Sequence, residues 1–185
     1  MTQEITITLP DGSQKQAKSG VTGAEIAGMI GAGLAKAAIA FEVNGEQRDL
    51  SDTVLEDSHI SIFTADSDEG LEIMRHTVAA QVLARAIKNL YPDAKLAIGP
   101  TIDDGFYYDF LSNKTVSIDD LPKIEKEMEK IVASKQSINK TIHSKEDAIK
   151  GFADLDESYK VKIIEDSGQE SDFQIYNQGD SGFID

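Results

Sequence analysis

The chain has 185 residues, of which 40% are hydrophobic and 28% charged, and these values are typical of a folded protein of one or two domains. Its net charge of −15 argues against general nucleic-acid binding, because non-specific affinity for phosphates comes from lysine and arginine. The absence of cysteine excludes disulfides and thiolate metal sites, and no apolar run approaches the ~20 residues of a membrane span, so we expect a cytoplasmic protein without a membrane partner.

The N-terminal part of the chain, 1–64, is predicted to be a small β-rich module. Thr22 and Glu25 have the spacing of a helix capping box, which predicts a helix from residue 23 onward. Alternation of apolar and polar side chains predicts strands on both sides of this helix, at residues 4–9, 13–17, 39–43 and 59–63. A hairpin, a helix and further strands in this order are typical of a β-grasp fold.

The second predicted unit, residues 71–185, follows a linker at residues 65–70 that has lost all periodicity. Helices are predicted where apolar residues recur at helical spacing, at residues 71–90, 118–131 and 145–152. Strands are predicted at residues 95–98, 137–143, 159–164 and 173–176. This mixture gives the second unit an α+β class. Residues 182–185 resemble the start of an apolar strand, so we expect a chain truncated at its C-terminus.

The three histidines are too few to predict a metal cluster. His59 and His143 lie in or beside predicted strands, where a structural role is expected. His76 lies inside a predicted helix with an apolar face, and it is the histidine that could line a cleft. Charge is also uneven: residues 1–70 hold twelve acidic and four basic side chains, whereas nine lysines lie in residues 121–164. Any contact with RNA is therefore predicted in the second half.

Four blocks of the second unit carry a resemblance to a known family: Leu71-Glu72-Ile73-Met74-Arg75-His76, Ala86-Ile87-Lys88-Asn89-Leu90-Tyr91-Pro92, Ala97-Ile98-Gly99-Pro100 and Ile102-Asp103-Asp104-Gly105-Phe106-Tyr107-Tyr108-Asp109. They resemble the second N-terminal domain of bacterial-type threonyl-tRNA synthetases. Glu157-Ser158-Tyr159-Lys160-Val161 and Phe183-Ile184-Asp185 are similar to later blocks of that domain. Residues 1–64 resemble the TGS module, a β-grasp domain that precedes it in this family.

The resemblance implies an editing site. In this family the second domain hydrolyses serine wrongly esterified to tRNA(Thr), since binding discriminates one methyl group by only a few kcal/mol. Tyr108 then lines the pocket, Lys160 lies near the ester, and Asp185 corresponds to the aspartate before the family's Cys-x-x-x-His. The candidate catalytic residues are Lys160, Asp185 and His76, and the candidate substrate-binding residues are Tyr108, Gln81 and Thr77.

The chain departs from the family at a histidine pair. The family helix carries His-x-x-x-His, which places both imidazoles on one face. Counting back from Pro92 puts Thr77 and Gln81 at the two positions, whereas counting forward from His76 puts Ala80 at the second. One residue is therefore inserted. In an α-helix of 3.6 residues per turn, His76 and Gln81 would diverge by roughly 140°.

The resemblance further implies a parent enzyme, an ATP-dependent ligase that joins threonine to its tRNA. ATP, magnesium and zinc are expected only in downstream domains, which also make the parent a homodimer. This chain is expected to bind no cofactor or metal and to contact the acceptor end of tRNA(Thr). Two alternatives stay open: a tRNA-binding module that has lost editing, and a free-standing trans-editing factor, against which the expected truncation argues.

Overall fold

The computed structural model describes residues 3–185, so residues 1 and 2 of the predicted first module lie outside it. The chain forms two compact units, one extending through Met74 and the other comprising Arg75–Asp185. The division falls within the helix Asp68–Thr77, which begins inside the segment predicted as a linker. None of the helices within residues 3–185 combines the length and the apolar character that a bilayer crossing requires.

The first unit is built on one five-stranded mixed sheet. In chain order its elements are β1 (Glu4–Thr8), β2 (Gln14–Lys18), β3 (Val21–Thr22), α1 (Gly23–Ile30), α2 (Ala32–Ala37), β4 (Ala38–Val43), β5 (Glu46–Arg48), β6 (Thr53–Val54) and β7 (Ser58–Thr64). The strand order is β2-β1-β7-β4-β5, in which β1 and β7 are parallel and the other neighbours antiparallel. The predicted β-grasp architecture is confirmed.

The helix α1 begins at the predicted capping box. Glu25 N donates to Thr22 Oγ1 at 3.2 Å, and Thr22 N donates to Glu25 Oε2 at 2.8 Å. Both main-chain groups would otherwise lack a partner in the first helical turn. Ile26 then packs on the sheet among the buried side chains of the strands: Ile5, Ile7, Phe41, Val43, Val54 and Ile60.

The second unit continues the chain with a mixture of helices and short strands. It consists of the end of α3 (Asp68–Thr77), a π-helical segment (Val78–Leu83), α4 (Ala84–Leu90), β8 (Lys95–Leu96), β9 (Thr101–Ile102), β10 (Gly105–Phe106), β11 (Phe110–Leu111), a 3-10 turn (Ile118–Asp120), α5 (Leu121–Ala133), β12 (Ile138–His143), α6 (Lys145–Asp154), α7 (Ser158–Asp166) and β13 (Phe173–Gln178). The strands pair only two by two, β8 with β11, β9 with β10 and β12 with β13. This α+β arrangement agrees with the predicted class.

Two apolar clusters hold the second unit together. One joins the π segment and α4 to α5 through residues such as Ile87, Ile124 and Ile131. The other joins α6 and α7 to β13 through Phe152, Ile164 and Ile175. The candidate site described below lies between α7, the β8–β11 ribbon and the end of the chain.

The predicted strand at residues 159–164 is wrong, because this segment is the helix α7. Val161 and Ile164 are three residues apart, so in a helix they share a face and both pack into the α6–β13 cluster. The helix begins at Glu157, whose carbonyl accepts from Val161 N at 3.1 Å. In a strand, these two apolar side chains would have pointed to opposite faces.

The predicted helix at residues 71–90 is present, but it is interrupted by the π segment Val78–Leu83. There Ala84 N–H donates to Ala79 O, five residues back rather than four. The divergence between His76 and Gln81 that an unbroken α-helix predicts therefore does not apply. A π segment takes up one inserted residue and leaves the helix before and after it in nearly the phase of an unbroken α-helix.

Candidate functional site

A half-buried ion pair connects α7 to Asp185. Lys160 Nζ lies 2.5 Å from Asp185 Oδ1, and each side chain is only 16% exposed. This oxygen has no hydrogen bond of good geometry, so the contact is electrostatic. Asp185 is held by main-chain pairing with β13, because Asp185 N donates to Tyr176 O at 3.0 Å and Tyr176 N to Asp185 O at 2.7 Å. Two residues that are distant in the sequence thus meet in a partly dry setting.

Tyr108 lies within electrostatic range of this pair. Burial raises the pKa of its hydroxyl well above the ordinary value of 10.0, and the negative charges of Asp185 and Glu157 raise it further. The hydroxyl is buried and makes no hydrogen bond among the described residues. A protonated phenol without a partner is a donor available to a ligand, and leaving it unpaired costs stability.

The β8–β11 ribbon fixes the position of Tyr108. Ala97 N donates to Asp109 O and Asp109 N donates to Ile98 O, both at 3.0 Å. Gly99 lies directly against Tyr108, since a Cβ at residue 99 would come within 2.6 Å of Tyr107 O and closer still to the Tyr108 ring. The sequence block around Gly99 therefore needs glycine because the aromatic ring occupies the space of a side chain.

Gln81 belongs to the π segment and is 4% exposed. Its side-chain Oε1 is buried without a hydrogen bond among the described residues, while its main-chain oxygen accepts from Gln178 Nε2 at 2.9 Å. Arg85 donates to Gln178 Oε1 as well. Gln178 ends β13, the strand with which Asp185 pairs, so this hydrogen-bonded chain links the π segment to the strand beside the ion pair.

The other two candidates lie on the helix that precedes the π segment. His76 is exposed in the last turn of α3, and Thr77 is half-buried beside it. No hydrogen bond or ion pair observed within residues 3–185 joins His76 to Lys160, Asp185 or Tyr108. The same range of residues contains no cluster of three or more histidine, aspartate or glutamate side chains arranged to hold a metal.

The sequence analysis missed Glu157 and Lys88 as candidate residues. They form an ion pair at 2.6 Å with side-chain exposures of 6% and 22%. Together with Lys160 they line a cavity of about 180 Å³, which Phe183 and Ile184 also border; neither Tyr108 nor Asp185 lines it. The sequence signal for Glu157 was an acidic residue three positions before Lys160. Because a strand was predicted at residues 159–164, the position of Glu157 at a helix N-terminus was not recognised.

The arrangement has the groups that ester hydrolysis needs. An ammonium group stabilises a developing oxyanion, a carboxylate orients it or accepts a proton, and a phenol donates a hydrogen bond. Lys160, Asp185 and Tyr108 provide one of each. Because Lys160 and Asp185 are mostly buried, their charges interact more strongly than they would in water.

Comparison with known proteins first gives the class of protein. Residues 5–64 match the family described as TGS domain, which accounts for the β-grasp unit. The chain is also 45% identical over 181 residues to a threonine-tRNA ligase of Acetivibrio thermocellus, and it is 43% identical over 180 residues to one of Rhizobium johnstonii. These alignments cover 98% and 97% of this chain but only 28% and 27% of the two relatives. The first unit is thus a TGS domain, and nearly the whole chain is similar to a part of the threonine-tRNA ligases.

The particular family follows from the length of the match. A threonine-tRNA ligase of Thiobacillus denitrificans is 45% identical over 179 residues, again across nearly the whole of this chain. The chain is the counterpart of the N-terminal part of the threonine-tRNA ligases. It spans a little over a quarter of their length.

Proposed function

We propose that this chain serves a threonine-tRNA ligase by contacting the acceptor end of tRNA(Thr) and hydrolysing serine wrongly esterified to it. The parent enzyme would join threonine to its tRNA in translation, in the cytoplasm. ATP, magnesium, zinc and the contacts of a homodimer belong, in this proposal, to parts of the ligase that the chain does not cover. The candidate reaction needs only side chains of the second unit.

The observation that carries the proposal is the half-buried Lys160–Asp185 ion pair with the unpartnered hydroxyl of Tyr108 in its field. Burying polar groups that lack partners costs free energy, and such groups are rare in folded proteins outside functional sites. A seryl ester brought to Lys160 would have its carbonyl oxygen beside the ammonium group. The Tyr108 hydroxyl and the Gln81 amide oxygen would then meet polar groups of the aminoacyl end.

The charge distribution favours the second unit as the part that meets RNA. Residues 1–74 carry 13 acidic and four basic side chains, whereas residues 75–185 carry 20 and 14. Phosphate binding depends on local lysine and arginine, so the first unit repels a nucleic acid more strongly for its size. Binding of tRNA is expected to be weak and to fall steeply with salt.

The test compares the release of serine from seryl-tRNA(Thr) by the wild-type chain with two lysine variants. Lys160→Ala should lose the hydrolysis, because the developing oxyanion loses its cation. Lys150→Ala is the matched control, since Lys150 is 72% exposed and pairs with Asp154 on α6. A wild-type rate equal to spontaneous deacylation would remove the editing function, and equal rates in both variants would remove the role of Lys160.

A second candidate function is tRNA binding without hydrolysis. It is favoured by Gln81, which stands at one of the two family histidine positions and whose amide does not accept a proton at neutral pH. This reading predicts that the chain retards tRNA(Thr) in a binding assay at low salt while seryl-tRNA stays intact. Restoring histidine with Gln81→His would then produce hydrolysis where the wild type has none.

A further inference from the structure

A buried carboxylate with no part in the proposed reaction lies beside the candidate site. Glu157 is 5% exposed, and Leu96 N donates to its Oε2 at 3.0 Å. Its other oxygen pairs with Lys88 Nζ, which also donates to Ala94 O at 2.9 Å. A charge this deeply buried persists only when partners compensate for its lost hydration, and here every partner is fixed in place.

Glu157 joins the two segments that carry the candidate residues. Its main chain begins α7, and Lys160 lies three residues further along that helix. Its side chain accepts a hydrogen bond from Leu96 N in β8. The main-chain pairing of β8 with the segment of Tyr108 continues through Ala97 and Ile98. The carboxylate is therefore a direct bridge between the helix of Lys160 and the ribbon of Tyr108.

Each of the two lysines of this region is paired with one carboxylate. Lys88 neutralises Glu157 at 2.6 Å, so Lys160 is left to pair with Asp185 at 2.5 Å. The negative charges of Asp185 and Glu157 both act on the buried hydroxyl of Tyr108 and, after burial itself, raise its pKa. The phenol, which is protonated at neutral pH even at its ordinary pKa, can donate a hydrogen bond.

We propose that Glu157, neutralised by Lys88, is a positioning residue that holds the ammonium group of Lys160 and the hydroxyl of Tyr108 in register with Asp185. The proposal rests on the proposed editing function for its catalytic consequence. Its structural half is the hydrogen bond from Leu96 N to Glu157, which ties α7 to the ribbon of Tyr108 whether or not the chain hydrolyses an ester.

Three variants test it. Glu157→Ala removes both the charge and the acceptor for Leu96 N–H, whereas Glu157→Gln removes the charge but keeps an acceptor of nearly the same shape. Asp156→Asn is the matched control, because Asp156 is the adjacent carboxylate, is paired with Lys95 and is 84% exposed. Hydrolysis of seryl-tRNA(Thr) gives kcat and KM, and the chemical shift of ¹³Cζ-labelled tyrosine at neutral pH reports the surroundings of Tyr108.

We expect Glu157→Ala to lower kcat about 10²-fold with KM unchanged, since a displacement of ~1 Å at the reacting groups has an effect of that size. Glu157→Gln should retain most of kcat, because the Leu96 contact survives. In both variants the ¹³Cζ signal of Tyr108 should shift from its wild-type position, with the signal of Tyr107, 61% exposed, as the internal reference. Asp156→Asn should change neither quantity.

A wild-type kcat in folded Glu157→Ala, or an unchanged ¹³Cζ signal of Tyr108 in Glu157→Gln, would overturn the proposal. If Glu157→Ala does not fold, Glu157→Gln still decides through the Tyr108 signal. A wild-type chain without hydrolysis would remove the editing function alone. The shift of Tyr108 in Glu157→Gln, absent from Asp156→Asn, would then still establish Glu157 as the residue that sets the environment of Tyr108.

Discussion

Replacing Lys88 with alanine should destabilise the second unit far more than the same change at Lys95. Both lysines bridge to neighbouring acidic residues, but the partner of Lys88 is a buried Glu157 and the partner of Lys95 is Asp156, 84% exposed. Removing one member of a fully buried ion pair lowers the free energy of unfolding by about 3–5 kcal/mol. Lys88 is 22% exposed, and Glu157 keeps its hydrogen bond from Leu96 N after the substitution. We therefore expect Lys88→Ala to lower the free energy of unfolding by about 2–3 kcal/mol. The loss at Lys95 should stay below about 1 kcal/mol, as for other exposed pairs.

The assay can report the second unit alone. The chain has no tryptophan, and all five tyrosines lie in residues 75–185, at Tyr91, Tyr107, Tyr108, Tyr159 and Tyr176. Urea unfolding followed by tyrosine fluorescence therefore measures this unit, and midpoints convert to free energies when the slopes agree. Equal midpoints for Lys88→Ala and Lys95→Ala would refute the reasoning, since burial of the acidic partner would then have no energetic consequence.

Two further predictions concern other parts of the fold. Gly70→Ala should lower the melting temperature measured by circular dichroism, because the added Cβ would lie 2.7 Å from the Thr64 carbonyl carbon. Gly28 lies in α1 with open space around it, so Gly28→Ala should instead raise the free energy of unfolding by about 0.5–1 kcal/mol. The hydrogen bond from Lys130 holds the pKa of Glu127 below its ordinary 4.5, so its stabilisation is complete above that pH and is lost as the pH falls through the lower folded pKa. Glu127→Gln should flatten the acid limb of a urea-midpoint profile, and an unchanged limb would contradict this assignment.

Local signals predicted most of the elements because each acts within a few residues. The capping residue Thr22 stands where α1 begins, and its side chain accepts the expected main-chain hydrogen bond. Alternation of apolar and polar side chains predicted the strands β1 and β7, and the order of the elements then indicated the β-grasp fold. The pairing of β12 with β13 could not be predicted in this way, since two helices separate these strands in the chain and nothing local selects them as partners.

The candidate site was open to prediction only through resemblance. Lys160 and Asp185 lie far apart in the sequence, and no periodicity indicates that they pair. The π segment could not be predicted from the sequence for a different reason. A one-residue insertion is visible in the sequence, but an α-helix can absorb it by a shifted phase or by a π turn, and only packing decides between them. Here Ala79, Ala80, Gln81 and Val82 are all buried, which favours the widened turn over rotation of the whole face.

The error at residues 159–164 shows why secondary structure matters to the chemistry as well as to the fold. The predicted strand did not include Glu157, so it gave no reason for Glu157 and Lys160 to border the same space. In the observed structure Glu157 is the N-cap of α7 and Lys160 lies in its first turn, which brings both side chains to one cavity. The helix thus allows a buried carboxylate to anchor the ribbon of Tyr108 while the lysine of the same turn stays paired with Asp185.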